Sequence, residues 1–174
     1  MEHVDAGLLV LRLALGLTIA FHGYNKFFGG GRLPGTAAWF EGIGVRPGFA
    51  NAVVAAGTEV VAGLGLAAGL LTPLSAAGVI ALMIVAITTT HWKNGFFIFR
   101  PGGGWEFCAI VAVVAFSIAM IGAGDWSLDH ALGLDVEGWW GAGIALIVGV
   151  VSAAVHLTVC YRPPKQAPTA TGGQ

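Results

Sequence analysis

Six ionisable side chains lie in or beside long apolar runs of this sequence. They are Arg12, His22, Lys26, Glu59, His91 and Glu106. An ionisable side chain near the centre of a bilayer costs on the order of 3 kcal/mol on insertion scales, so each one is a hypothesis about function. The chemistry of these residues therefore depends on where the apolar runs place them.

Arg12 and Glu59 are expected at similar depths in two neighbouring helices. We call the side of the membrane where the first helix ends side two. With a rise of about 1.5 Å per residue, Arg12 lies roughly 20 Å from that side, and Glu59 roughly 15 Å. A pair would cancel both charges, and a buried pair is costly to break but weak evidence of function. We predict a buried ion pair between Arg12 and Glu59.

The other polar groups are expected near side two. His22 and Lys26 end the first helix, one turn apart on one face, and His91 ends the third. The predicted polar pocket consists of His22, Lys26, Glu59, His91 and Glu106. Two imidazoles and a carboxylate can hold a metal, relay protons or hydrogen-bond a quinone ring. The simpler interpretation is that His91 and Lys26 reach towards the lipid headgroups.

No catalytic residue can be named from a motif, because no CxxC, HExxH, Walker loop or GxGxxG occurs. Cys108 and Cys160 fall at the side-two ends of their predicted helices. A redox pair is geometrically allowed, but a free cysteine commonly behaves as a small buried hydrophobe. No metal site is predicted.

The composition requires a lipid-facing surface. Hydrophobic residues make up 56% and charged residues 10%, and the mean hydropathy is +0.82, far from a soluble globular chain. A bilayer core about 30 Å thick needs about 20 apolar helical residues, and only helices satisfy the backbone of an open-ended span. We predict an all-α transmembrane bundle in one domain, 1–161, followed by a disordered tail, 162–174. The spans are predicted at about 8–28, 50–71, 74–90, 105–122 and 139–161.

The connections between the spans and the positions of the charged residues predict how the chain is arranged in the membrane. The segment from Phe28 to Phe49 is expected on the membrane surface, with Thr36 capping a short helical turn. With five spans, every Lys and Arg except Arg12 falls on side two, which predicts an outside N-terminus and a cytoplasmic C-terminus. The net charge of −1 gives no indication of a basic surface that would bind nucleic acid.

The quoted elements also resemble a known family. They are the opening LLVLRLALGLTIAFHGYNKFFGG, then TAAWFEGIGV, then AAGTEVVAGLGLAAGLLTPL with Glu59, then His91 followed by NGFF and GGWEF. Together they resemble the DoxX family of small bacterial membrane proteins, from about Leu8 to Ile121. Typical members are four-helix bundles, so the resemblance implies a four-helix core with an additional C-terminal span.

The resemblance implies a bacterial plasma membrane protein, because relatives include a membrane subunit of a thiosulfate:quinone oxidoreductase and members linked to oxidative and thiol stress. The leading hypothesis is a membrane subunit of a redox system that works with a partner protein and interacts with a quinone. The first alternative is a non-catalytic anchor or assembly subunit. The second is a small transporter with Arg12 and Glu59 in its path. A homo-oligomer is a further alternative for the assembly.

Overall fold

The computed structural model describes residues 2–163. Seven α-helices form within these residues: α1 Glu2–Phe28, α2 Arg32–Gly42, α3 Gly48–Ala68, α4 Thr72–Ala86, α5 Glu106–Ile121, α6 Leu128–Leu132 and α7 Gly138–Cys160. A π-helical turn, Ile87–His91, and a 3₁₀ turn, Trp92–Asn94, continue α4. The all-α prediction is confirmed. Most of the predicted tail, residues 164–174, lies outside the described residues.

Four of the described helical segments are long and apolar enough to cross a membrane. They are α1, α3, α4 continued through Asn94, and α7. The segment α5 is also apolar but has 16 residues, or about 24 Å, which is less than the bilayer core. The chain is therefore a multi-pass helical bundle, and a fifth crossing by α5 stays a prediction.

The helices pack in two groups, which are joined by the contact between α3 and α4. The first group is α1 against α3, and the second is α4 against α7 and α5. A Cβ at Gly16 would meet the Gly63 carbonyl and Ala67, and a Cβ at Gly63 would meet the backbone of Ala20 and Gly16. Glycine at these two positions lets α1 and α3 approach backbone to backbone, as small residues do in lipid.

The connection between α3 and α4 lies on side one, where α1 and α7 begin. Gly69 ends α3 in the left-handed conformation, and α4 begins at Thr72 with Pro73 in its first turn. Helices α3 and α4 therefore form a tight helical hairpin, which agrees with the close spacing of the spans predicted at 50–71 and 74–90. The short helix α6 lies against this turn, because the Asp129 backbone N–H donates to the Gly69 carbonyl at 2.8 Å.

Side two carries α2 and the end of α7. The helix α2 packs against α3, and Thr36 lies inside it with its hydroxyl donating to the Arg32 carbonyl. The prediction that Thr36 caps a short turn is therefore wrong, because the helix begins four residues earlier. The Arg46 N–H donates to the Cys160 carbonyl at 2.8 Å, which fastens α7 to the connection between α2 and α3.

Candidate functional site

A cavity of about 430 Å³ lies between α3, α4 and α7, and residues of α2 and of the end of α1 contribute to its wall. The indole of Trp39 and the ring of Phe40 from α2 contribute to its wall. Aliphatic side chains of α3, α4 and α7 form most of the rest: Val54, Leu74, Leu82, Met83, Val85 and Val148. The polar groups of the wall are Lys26, Thr58, Glu59, Thr89, Thr90, His91, Ser152 and His156. The wall therefore combines a large apolar surface with a few polar groups, as small-molecule sites do.

Lys26 and Glu59 form an ion pair in this wall. The Lys26 Nζ lies 2.5 Å and 2.6 Å from the two carboxylate oxygens of Glu59, and the side chains are 21% and 11% exposed. Both oxygens contact one ammonium group, so the two charges cancel at short range. The pair brings together two residues of the predicted polar pocket.

The predicted ion pair between Arg12 and Glu59 is wrong. Gly23 of α1 lies against Ala56 and Glu59 of α3, whereas Gly16 lies against Gly63 and Ala67. Arg12 comes one turn before Gly16 and is therefore level with the end of α3. The sequence estimate placed the two residues at nearly the same depth. In the structure Glu59 is level with Gly23, eleven residues after Arg12 and therefore about 16 Å from its level, and it meets Lys26 in the last turn of α1.

Arg12 is instead part of a packed cluster on side one. Its side chain is fully buried, and its Nη2 donates to the Trp126 carbonyl at 2.6 Å. The guanidinium lies beside Gly69, and the Asp129 carboxylate attracts it. Nε and Nη1 have no hydrogen-bond partner among the described residues. Arg12 is not part of the cavity wall, so the structure does not bring Arg12 and Glu59 into one path.

Asp129 completes the side-one cluster. It is 2% exposed, and its carboxylate oxygens accept from the backbone N–H groups of Leu71 and Thr72 at 2.7 Å and 2.9 Å. These are orphan donors at the beginning of α4, and a carboxylate there also suits the helix dipole. Asp129 therefore caps α4 from a distant part of the chain, a role that no local motif indicates.

His91 ends the π-helical turn and contributes to the cavity wall. Its Nδ1 lies 2.9 Å from the Gly103 carbonyl oxygen. A carbonyl oxygen only accepts, so Nδ1 carries the proton, and in the neutral ring Nε2 is then an acceptor. This contact with the loop between α4 and α5 fixes the orientation of the His91 imidazole in the cavity wall.

His156 of α7 was missed as a site residue. Its Nε2 lies 2.8 Å from the Asn51 Oδ1 of α3, and its Nδ1 is buried without a partner among the described residues. Asn51 comes in the first turn of α3 and His156 in the last turn of α7. Asn51 and His156 lie at similar distances from side two, and antiparallel helices bring such positions together. This similarity could have predicted the contact from the sequence.

One comparison identifies the family. Residues 7–92 match the family model described as DoxX. The chain belongs to the DoxX family. No curated protein and no solved structure matches the chain. The matched region includes Lys26, Glu59 and His91, and it ends before Glu106, although the resemblance was expected to reach about Ile121.

Two residues of the predicted pocket lie away from the cavity of this DoxX protein. His22 is exposed on α1, and neither His22 nor Glu106 is part of the cavity wall. The Glu106 Oε2 accepts from the Ile98 backbone N–H at 3.1 Å, which holds the loop before α5. The structure thus brings together Lys26, Glu59 and His91, adds His156, and separates His22 and Glu106 from them.

Within residues 2–163, no three His, Cys, Asp or Glu side chains are close enough to hold a metal ion. Cys108 and Cys160 are both free thiols. Cys108 is buried in the hydrophobic core with Val111 and Ile118, which is the simpler of the two expectations for it. The cavity therefore remains the candidate site.

Proposed function

We propose that this DoxX protein is the membrane subunit of a redox system and binds a quinone in the cavity between α3, α4 and α7. One observation carries the proposal: an apolar cavity in a membrane bundle has two imidazoles and a paired lysine and glutamate in its wall. When bound, a quinone supplies two-electron, two-proton redox chemistry. A partner protein would carry the flavin or metal that exchanges electrons with it.

The size and the side chains of the cavity wall suit a quinone. The volume of about 430 Å³ falls within the range of small-molecule sites. Trp39 and Phe40 offer aromatic surface to a flat ring, and the aliphatic residues of α4 and α7 suit an isoprenoid chain. The hydroxyl groups of Thr58, Thr90 and Ser152 can donate hydrogen bonds to the carbonyl oxygens of the ring. Because the charges of Lys26 and Glu59 cancel, this pair adds no net charge to the cavity wall, which suits a neutral ligand.

The proposal also includes the metabolic process in which such a complex would act. The family resemblance favours thiosulfate or thiol oxidation, or defence against oxidative stress, in a bacterial plasma membrane. We place side two, with the cavity, at the cytoplasmic face because the basic residues gather there. A cysteine at Lys93→Cys should then be protected from an impermeant maleimide on intact cells, and one at Asp125→Cys should be labelled. The reverse pattern would contradict this orientation.

The test of the site is retention of quinone during purification. The full chain is purified in mild detergent, and extracted quinones are quantified by mass spectrometry for the wild type and for a His91→Ala, His156→Ala variant. The variant removes both imidazoles from the wall and leaves empty space in the site, so we expect a decrease of about tenfold or more in the retained quinone. His130→Ala is the matched control, because His130 is an exposed histidine on side one, paired with Asp135. Equal retention by the double variant and the wild type would refute the quinone site.

A second candidate function is a non-catalytic anchor for a partner enzyme. The loop between α4 and α5 favours it, because Trp92 and Phe99 are 66% and 79% exposed. The loop is ordered by stacking of Trp92 on Trp105, with ring centroids 6.0 Å apart. If the protein is an anchor, Phe99→Ser should abolish co-purification of the partner, whereas the double histidine variant should retain it. The reverse result would favour the quinone-binding subunit.

A further inference from the structure

We infer that a second pocket, on side two at the end of α7, binds the headgroup of an anionic phospholipid. We call it the basic pocket. Its volume is about 500 Å³, and its wall consists of Glu41, Arg46, Pro47, Val159, Cys160 and Arg162. The basic pocket shares no residue with the wall of the cavity between α3, α4 and α7. The inference therefore does not depend on the proposed quinone site.

A backbone pairing between two distant segments forms the basic pocket. Val45, in the connection between α2 and α3, pairs with Tyr161 at the end of α7 as an antiparallel bridge. Beside this bridge, the Arg46 N–H donates to the Cys160 carbonyl at 2.8 Å. This register places Arg46 opposite Cys160. Arg162 is then the diagonal neighbour of Arg46, at about 7–8 Å between the Cα atoms.

The pairing also determines on which side of the bridge the arginines lie. Successive side chains of an extended segment point to opposite faces. Val45 is 2% exposed and contributes to the wall of the cavity, so the side chain of Arg46 lies on the other face. Arg162 follows Tyr161 in the same alternation, and both arginines contribute to the wall of the basic pocket. The bridge thus separates the two pockets and places both arginines on the outer one.

The two arginines give the wall of the basic pocket an excess of positive charge. Within residues 2–163, neither Arg46 nor Arg162 forms an ion pair with a carboxylate. The Glu41 Oε1 accepts from the Gly48 backbone N–H at 3.3 Å, at the beginning of α3. The Arg162 Nη1 donates to two carbonyls at the end of α7, which leaves Nε and Nη2 for a ligand. With two arginines and one glutamate, the wall has a net charge of +1.

A phosphate group suits this arrangement. Neighbouring like charges repel each other, and an anion bound between them removes the repulsion. A guanidinium group binds phosphate oxygens through two parallel N–H donors. Arginine side chains are long enough for both guanidinium groups to contact one phosphate from diagonal positions. We therefore expect a ligand with a negatively charged phosphate.

The surface beside the pocket indicates that this phosphate belongs to a lipid. Val159, in the wall of the pocket, is 65% exposed. Val155 and Val151 lie one and two turns earlier on the same face of α7 and are 57% and 55% exposed. Because α7 is long and apolar enough to span a membrane, this stripe faces lipid and the pocket lies at the level of the headgroups. Basic pockets between helices at the membrane surface bind phospholipid headgroups in this way.

The test uses Cys160 as a reporter in the wall of the pocket. Cys160 is a partly exposed free thiol, whereas Cys108, the other cysteine of the sequence, is buried. The full chain in mild detergent is treated with N-ethylmaleimide at increasing concentrations of phosphatidylglycerol, and mass spectrometry gives the rate of alkylation of Cys160. Only the free protein reacts, so a concentration about ten times the dissociation constant should slow alkylation about tenfold. Phosphatidylcholine, which has a cationic group beside its phosphate, should not protect Cys160.

Arg46→Gln and Arg162→Gln test the two guanidinium groups. Each substitution should raise the dissociation constant of phosphatidylglycerol about fivefold, the contribution of one basic residue near a membrane surface. The matched control is Arg100→Gln, which removes the same charge from an exposed arginine of side two outside the pocket wall and should leave the constant nearly unchanged. Arg46→Lys should recover part of the affinity, because lysine keeps the charge and loses the paired donors.

Glycerol 3-phosphate distinguishes a lipid from a soluble phosphate, because it has the phosphate without the acyl chains. Protection of Cys160 by glycerol 3-phosphate at the same concentration as phosphatidylglycerol would overturn the lipid in favour of a soluble ligand. Equal protection by phosphatidylglycerol and phosphatidylcholine, or equal effects of Arg46→Gln and Arg100→Gln, would indicate ordinary lipid contact and overturn the inference. Absence of protection by any of these compounds would also overturn it, whether or not quinone is retained. The comparison of lipids on the wild type decides even if a variant fails to fold.

Discussion

Two polar clusters lie at opposite ends of this bundle, and they differ in what their polar atoms contact. On side one, both carboxylate oxygens of Asp129 bind the backbone at the beginning of α4, and Arg12 is packed beside them. On side two, His91 and His156 each bind the protein through one nitrogen and leave the other as an acceptor. The side-two histidines line the cavity, whereas Arg12 and Asp129 do not, so burial of a charge does not by itself mark a site.

The largest expected effect is on stability at the side-one cluster. Asp129→Ala removes the cap of α4 and leaves Arg12 without its opposing charge, so the free energy of unfolding should fall by about 3 kcal/mol. Unfolding in mixed micelles measures this. The matched control is Asp125→Asn in the same connection, an exposed acid that should change the value by less than about 0.5 kcal/mol. A stable Asp129→Ala protein would remove the distinction between the two clusters.

A smaller effect is expected for the Lys26 and Glu59 pair. A double-mutant cycle of Lys26→Met and Glu59→Gln should give a coupling energy of about 1 kcal/mol or more, as residues in direct contact do. The same cycle with Arg12→Leu and Glu59→Gln should give less than about 0.5 kcal/mol, because those side chains lie at different levels. Strong coupling between Arg12 and Glu59 would restore the pair that the sequence predicted.

The smallest effect is expected at His22. This residue is exposed on α1 and lies away from the cavity wall, so His22→Ala should retain as much quinone as the wild type. His91→Ala, measured in the same preparation, should lose quinone. If His22→Ala lost as much as His91→Ala, the predicted five-residue pocket would describe the site better than the cavity does.

The helices were predictable because their signal is local. Apolar runs placed a helix at each of the five expected positions, and the spans predicted at 50–71 and 74–90 left only a short connection between α3 and α4. The register between α1 and α3 was not predictable, because it depends on backbone contact at Gly16 and Gly63. That register puts Glu59 level with Gly23, where Lys26 can reach it.

The site was predicted in part for the same reason. Lys26, Glu59 and His91 lie near side two in their own helices, so their depth could be estimated from the apolar runs. The contact between Asn51 and His156 joins residues far apart in the chain, and the short helix that carries Asp129 has only five residues. Both depend on tertiary packing rather than on a repeating pattern.

The most direct test of the central claim is photo-crosslinking with an azidoquinone in native membranes, followed by mapping of the labelled peptides. The account predicts label on the side-two halves of α3, α4 and α7, around Thr58, Thr90 and His156, with competition by unlabelled hydroquinone. Label confined to α1 around His22, or spread evenly over the lipid-facing residues, would contradict it.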